Sequence, residues 1–235
     1  MQGVDPLFFQ DRKPYPWMEW EGFLLPGAFE RLRTNFPALN LFEKQKGIDR
    51  LYGQRPHNRY YLAHRSKPSF VRKLPQAWRR FIEEIDTNPD YQDFIRSFLG
   101  TSRFQIRYAW HLGSAGSEVS PHFDSDNKLG THIFYFNTPA DWRKEWGGSI
   151  CVLSGKKRGD LLNPDFTDFE ECVEVGTLGN KSFFFKNSLS AWHGVRSLSC
   201  PPGNYRRLFN VIFVPVSDRD KLFRQPDGGT AGDDY

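Results

Sequence analysis

Over the first hundred positions apolar residues recur at helical spacing; after them they come in short runs that suit strands. Pro26 opens the first helical pattern, with Phe29, Leu32 and Phe36 on one face and Pro37 ending the run. A second pattern follows Leu74-Pro75 and carries Trp78, Phe81, Ile82 and Ile85 until Asn88-Pro89 breaks it. Tyr91, Phe94, Ile95 and Phe98 make a third, stopped by Gly100. Between these helices the signal is mixed. Leu41–Gln45 reads as a short turn of helix, Gly53–Asn58 as a loop and Arg59–Ala63 as a strand.

From residue 103 the period changes. Short strands are predicted over 104–110, 119–124, 131–136, 148–153, 182–186, 192–197 and 206–214, separated by clusters of Gly, Pro, Asn and Asp. Helices followed by many short strands predict an α+β protein built on a β-sandwich or jelly-roll core. No repeat or interdomain linker interrupts the chain, so one domain over 1–235 is expected. It divides into a helical and loop region (1–102), the strand-rich core (103–215) and a C-terminal tail (216–235). The polar, Gly-rich stretch 227–235 is expected to be disordered.

Composition narrows the function. Aromatic content is 16%, with 22 Phe, 9 Tyr and 7 Trp, which suits a strand-rich core. Net charge is +4 and no Lys/Arg block appears, so nucleic acid is not an expected partner. Cys151, Cys172 and Cys200 show no CxxC spacing and read as reduced thiols. Neither a signal peptide nor a membrane-length apolar run is visible, which leads to the expectation of a soluble, cytoplasmic protein.

The chemistry concentrates at Pro121-His122-Phe123-Asp124 and, much later, Trp192-His193-Gly194-Val195. A His and an Asp two residues apart project from one side of a strand, and His193 can complete a three-ligand site from a neighbouring strand. Two imidazoles and one carboxylate on one face of a metal are the arrangement of non-haem Fe(II) oxygenases. A 2-oxoacid bound to that iron needs a fixed cation for its distal carboxylate, a task suited to the planar fork of arginine. Arg206 and Arg207 both open the last predicted strand, and alternation alone does not choose between them.

These segments together resemble the Fe(II)/2-oxoglutarate-dependent dioxygenases, in their prolyl-4-hydroxylase-like branch. Pro121-His122-Phe123-Asp124 resembles the first half of the iron motif. Ile133–Asn137 followed by Glu145-Trp146-Gly147-Gly148-Ser149-Ile150 is similar to the branch's strand–Asn–WxGG segment. Phe183–Phe185 with His193-Gly194-Val195 resembles the second-histidine segment, and Arg206–Val211 the closing strand. The resemblance implies a double-stranded β-helix core (jelly-roll, cupin-like) with the leading helices packed on its major sheet. It implies iron ligands His122, Asp124 and His193, and a 2-oxoglutarate site formed by Arg206, Tyr135 and Tyr108. Fe(II), 2-oxoglutarate and O2 are the implied cofactors. The acidic Asp124, where the family's halogenases carry a small residue, favours hydroxylation.

A small-molecule substrate, such as an amino acid or another metabolite, is the leading expectation. A hydroxylase of a protein side chain is the alternative, and a cupin-type metal-binding protein without oxygenase activity the more distant one. His132 is expected at the surface and His111 in a structural role. His57, Arg59, Tyr60, Tyr61 and His64 read either as a solvated loop with a packed strand or as a substrate-contacting flap.

Overall fold

The computed structural model describes residues 5–48 and 55–216. The elements run in the order α1 (Pro6–Asp11), β1 (Trp17–Glu21), α2 (Pro26–Thr34), β2 (Glu43–Ile48), β3 (His57–Ala63), α3 (Pro68–Val71), α4 (Gln76–Thr87) and α5 (Pro89–Leu99). The strand-rich half follows with β4 (Phe104–Gly113), β5 (Val119–His122), β6 (Gly130–Tyr135), β7 (Ile150–Lys156), β8 (Phe169–Val175), β9 (Lys181–Lys186), β10 (His193–Val195) and β11 (Arg206–Pro215).

The strands form two sheets. The larger has the order β1-β9-β6-β11-β4-β3-β2 and the smaller β5-β10-β7-β8. Every pairing between these strands is antiparallel. Two such facing sheets, with helices on the outer face of the larger one, are the double-stranded β-helix arrangement.

Helices α2, α4 and α5 form where the apolar spacing predicts, and the short α1 and α3 come without such a pattern. Asn88 caps α5 by accepting from the Tyr91 N–H at 3.0 Å, Pro89 occupies the first turn, and Gly100 closes the helix at φ +71°. The buried face of α4, Trp78, Ile82 and Ile85, lies on the larger sheet. Trp78 is fully buried and meets Trp110, Phe136 and Phe209 at ring-centroid distances of 5.4, 5.1 and 5.0 Å. Truncating such an aromatic to alanine costs about 3–5 kcal/mol, so this cluster fixes the helical layer to the sheet.

Three strands depart from the sequence pattern. Residues 41–45 are not helical: a 3-10 turn ends at Leu41 and Glu43–Ile48 continues as strand β2. Trp17–Glu21 and Phe169–Val175 are strands that the apolar pattern does not announce. All three lie at sheet edges. His132 is not at the surface. It is fully buried on β6 against the helical layer, its Nδ1 3.1 Å from the Tyr91 hydroxyl. The expected disorder of 227–235 and the first two residues of the expected loop at 53–58 lie outside the described residues; 55–56 are irregular, and 57–58 already belong to strand β3.

Candidate metal centre and cosubstrate pocket

A cavity of about 1750 Å³ opens between the inner faces of the two sheets and reaches round to His64, Asp86 and Tyr108. On its small-sheet side β10 pairs with β5 so that His193 stands opposite His122, their ring centroids 4.4 Å apart. Asp124 follows β5 by two residues, and His122 Nε2 lies 3.8 Å from Asp124 Oδ1. One ligand atom from each of His122, Asp124 and His193 falls within 4.8 Å of the other two.

The histidines are oriented by their own backbone. His122 Nδ1 lies 3.0 Å from the carbonyl of Ser120, and His193 Nδ1 lies 2.9 Å from that of Ala191. A carbonyl only accepts, so each Nδ1 carries the proton and each neutral ring keeps its lone pair on Nε2, the form that ligates a metal. Burial pushes the Asp124 carboxyl up, but Lys128, His193 and His122 outweigh it and hold the group below the ordinary carboxylate range. Lys128 donates to Asp124 Oδ1 at 3.0 Å. Two imidazole nitrogens and an ionised carboxylate fit Fe(II) as a donor set.

Gly194 makes the approach of β10 possible. A Cβ there would meet the Val119 carbonyl oxygen at 2.8 Å and the Phe166 ring at 2.9 Å. The His-Gly-Val sequence therefore carries a packing requirement as well as a ligand.

Arg206 and Arg207, indistinguishable by alternation, part company in the fold. Arg206 is buried and lines the cavity; Arg207 is half-buried and pairs with Asp141. Arg206 Nε donates to the Gly148 carbonyl at 2.7 Å, and the guanidinium carbon lies 5.4 Å from the Tyr135 ring centroid. Asn137 brackets the position. Its Oδ1 accepts from the Arg207 N–H at 2.6 Å and its Nδ2 donates to the Tyr205 carbonyl at 3.0 Å.

Tyr135 is fully buried; its hydroxyl meets no group at good hydrogen-bond geometry, and the charge nearest to it is the Arg206 guanidinium. Burial holds this phenol in its neutral form, and burial lowers the Arg206 guanidinium from its ordinary value without approaching neutrality. An arginine fork beside an orphaned phenol is a receptor for a carboxylate, which fits the distal end of 2-oxoglutarate.

Tyr108 lines the cavity at its edge, on the other face of the larger sheet from Arg206 and Tyr135. Its register partner is Val211, on the helix-packed face of β11; its ring stacks on Phe209 at 5.7 Å and its hydroxyl donates to Asp86 of α4. Three residues near the site take no role from the sequence alone: Lys128, Gly148, whose carbonyl accepts from Arg206, and Asn137, which brackets that arginine. Asn137 and Gly148 lie in the strand–Asn–WxGG segment, and Lys128 has a local clue in its position four residues after Asp124.

Residues 105–214 match the family model described as "2OG-Fe(II) oxygenase superfamily". Among solved structures the chain is similar to a prolyl-4-hydroxylase from Pseudomonas putida, at 13% identity and TM-score 0.59 over 86% of this chain and 93% of that one. It is also similar to a prolyl hydroxylase from Trichoplax adhaerens, solved with a hypoxia inducible factor peptide fragment. There the identity is 13% and the TM-score 0.58 over 89% and 87% of the two chains. A non-heme alpha-ketoglutarate dependent carbocyclase from nogalamycin biosynthesis matches at 13% identity and TM-score 0.58 over 97% and 93%. No curated protein sequence matches the chain. The strand-rich core thus matches a family of enzymes that work with Fe(II), 2-oxoglutarate and O2, and the fold around that core is the one seen in these solved structures.

Proposed function

We propose that this protein is a 2OG-Fe(II) oxygenase that hydroxylates an unactivated C–H of a small molecule, such as an amino acid or another metabolite, with Fe(II) held by His122, Asp124 and His193. Arg206 and Tyr135 bind the distal carboxylate of 2-oxoglutarate, and the helical region and the strand-rich core act as one domain. The observation that carries this reading is the convergence, on one cavity, of three ligand atoms within 4.8 Å and a buried arginine beside an unpartnered phenol.

When bound, the iron and the diacid supply O2 activation coupled to oxidative decarboxylation, giving succinate and CO2 and an oxidised substrate. The chain's own residues do the positioning. Ser120 and Ala191 carbonyls hold the Nδ1 protons of the two histidines, so Nε2 stays available without a deprotonation step. Asp124 is ionised at neutral pH and needs none either. Arg206 keeps its charge in a buried setting where a carboxylate ion pair is far stronger than at a solvated surface.

The test is anaerobic. Adding Fe(II) and then 2-oxoglutarate should give a weak visible metal-to-ligand charge-transfer band. His122→Ala should abolish it, and Arg206→Ala should require far more 2-oxoglutarate to reach it. Metal uptake with no band at any 2-oxoglutarate concentration would sink the reading.

A further inference from the structure

The cavity floor on the larger sheet carries a second polar apparatus, away from Arg206. Register places Tyr135, Leu208, His111 and Tyr61 in one row across β6, β11, β4 and β3. The next row is Ile133, Asn210, Ala109 and Ala63. Arg59 Nη1 lies 3.3 Å from His111 Nδ1, and the Asn210 amide lies 3.2 Å from His111 Nε2. Arg59 is in turn set by its Nε donating to Gln45 Oε1 at 2.9 Å and by the Tyr61 ring, 4.9 Å from its guanidinium carbon.

Donor rules give this chain a direction. A guanidinium only donates, so His111 Nδ1 accepts, and the neutral ring carries its proton on Nε2. Nε2 must then donate to Asn210. Placed with Nδ2 on the ring, the amide sets two donors against each other and leaves Oδ1 buried without a partner. Turned over, its oxygen accepts from His111, and the NH2 becomes the group left facing the cavity that Asn210 lines. Asn210 is four residues along β11 from Arg206, about 13 Å away at strand rise, so the two do not share one small carboxylate.

The cavity also has an apolar entrance. Leu162, on the β7–β8 connection, and Leu189, on the β9–β10 connection, both line it and are 67% and 72% exposed. Its volume of about 1750 Å³ exceeds the roughly 300–1,000 Å³ usual for small-molecule sites. A free amino acid would leave most of that space and both leucines unused.

We propose that Asn210, oriented by Arg59 and His111, donates its NH2 to a carbonyl oxygen of the substrate, and that the substrate is an acyl compound with an extended apolar body lying against Leu162 and Leu189. The inference rests on this cavity being the oxygenase active site and narrows its substrate class. Asn210 is a recognition residue, placed to fix which carbon of the apolar body faces the metal ligands.

The test compares two short probes by ligand-observed NMR, without added metal: octanamide, whose carbonyl accepts, and octylammonium, which only donates. Wild-type protein is expected to bind octanamide the better of the two by roughly five-fold, the range of one net hydrogen bond. Asn210→Asp keeps the acceptor for His111 but removes the NH2, so the preference should reverse; Asn210→Leu should abolish it. Leu162→Ser/Leu189→Ser should weaken octanamide by roughly three-fold or more. An unchanged preference in Asn210→Asp would overturn the recognition role, and unaltered octanamide affinity in the double leucine variant would overturn the apolar body. Reversal in a protein that forms no charge-transfer band would retire the iron reading while keeping this one; a normal band with no reversal would do the opposite.

Discussion

The carbonyl of Gly148 receives the Nε proton of Arg206 at 2.7 Å, and a Cβ added at Gly148 would stand 2.9 Å from Arg206 Cδ. The glycine sits at φ +101°, a conformation that side chains rarely adopt. One residue thus both holds the arginine and leaves room for it. Gly148→Ala should displace the guanidinium and weaken 2-oxoglutarate by about tenfold, while Fe(II) affinity stays within about two-fold, since no ligand touches residue 148. Titrating the charge-transfer band against 2-oxoglutarate, alongside a metal-binding isotherm, separates the two effects. Equal losses in both would point to general unfolding instead.

Tyr135 and Tyr108 should behave oppositely when their hydroxyls are removed. Tyr135→Phe deletes a buried phenol that meets no group at good hydrogen-bond geometry, so the fold should be unharmed or slightly firmer and 2-oxoglutarate should bind several-fold more weakly. Tyr108→Phe deletes a hydrogen bond to Asp86, so it should cost about 1 kcal/mol of stability and leave 2-oxoglutarate affinity alone. Denaturant melts and 2-oxoglutarate titrations on both variants check the pair. Weaker cosubstrate binding in Tyr108→Phe would contradict the face assigned to it.

The two tyrosines mark where the sequence stops being informative. Both lie on strands covered on both faces, so apolar alternation cannot say which face meets the cavity. Only the register of β11 against β4 and β6 decides, placing Tyr135 beside Leu208 and Tyr108 beside Val211. The choice between Arg206 and Arg207 had the same cause and the same resolution. His122, Asp124 and His193 were legible because their spacing and motif context are local to two short segments. The edge strands were not. Glu43–Ile48 is nearly all polar and Phe169–Val175 carries three glutamates, as edges exposed to solvent do. The Tyr108–Asp86 bond spans 22 residues and two element types, so no spacing rule reaches it.

With the metal held as proposed, Lys128 should limit how tightly it binds. Its ammonium donates at 3.0 Å to the same Asp124 oxygen that faces His122, so it competes with a divalent cation for that lone pair and repels it. The lysine is partly solvated, which screens the effect. Lys128→Met should therefore tighten Mn(II) or Fe(II) binding by about five- to tenfold, with Asp124 still ionised at pH 7. Anaerobic titration calorimetry reads this directly, and weaker metal binding in the variant would show that the lysine supports the carboxylate rather than competing for it.

Acid should loosen the helical layer through His132. Burial among Trp20, Phe23, Phe134 and Phe184 lowers its pKa from 6.5 to about 3. The unfolded chain takes the proton first, so the stability contributed by the neutral ring is complete above pH 6.5 and is lost progressively as pH falls towards 3. At pH 5 the loss amounts to about 2 kcal/mol for this one group. Replacing both partners with same-shaped apolar groups, His132→Phe/Tyr91→Phe, removes the Tyr91 hydrogen bond and the unpartnered Nε2 together, so stability at pH 7 should change little. Between pH 7 and 5 the double variant should lose about 2 kcal/mol less than the wild type in urea melts. Identical pH slopes for the two proteins would assign the acid sensitivity to other groups.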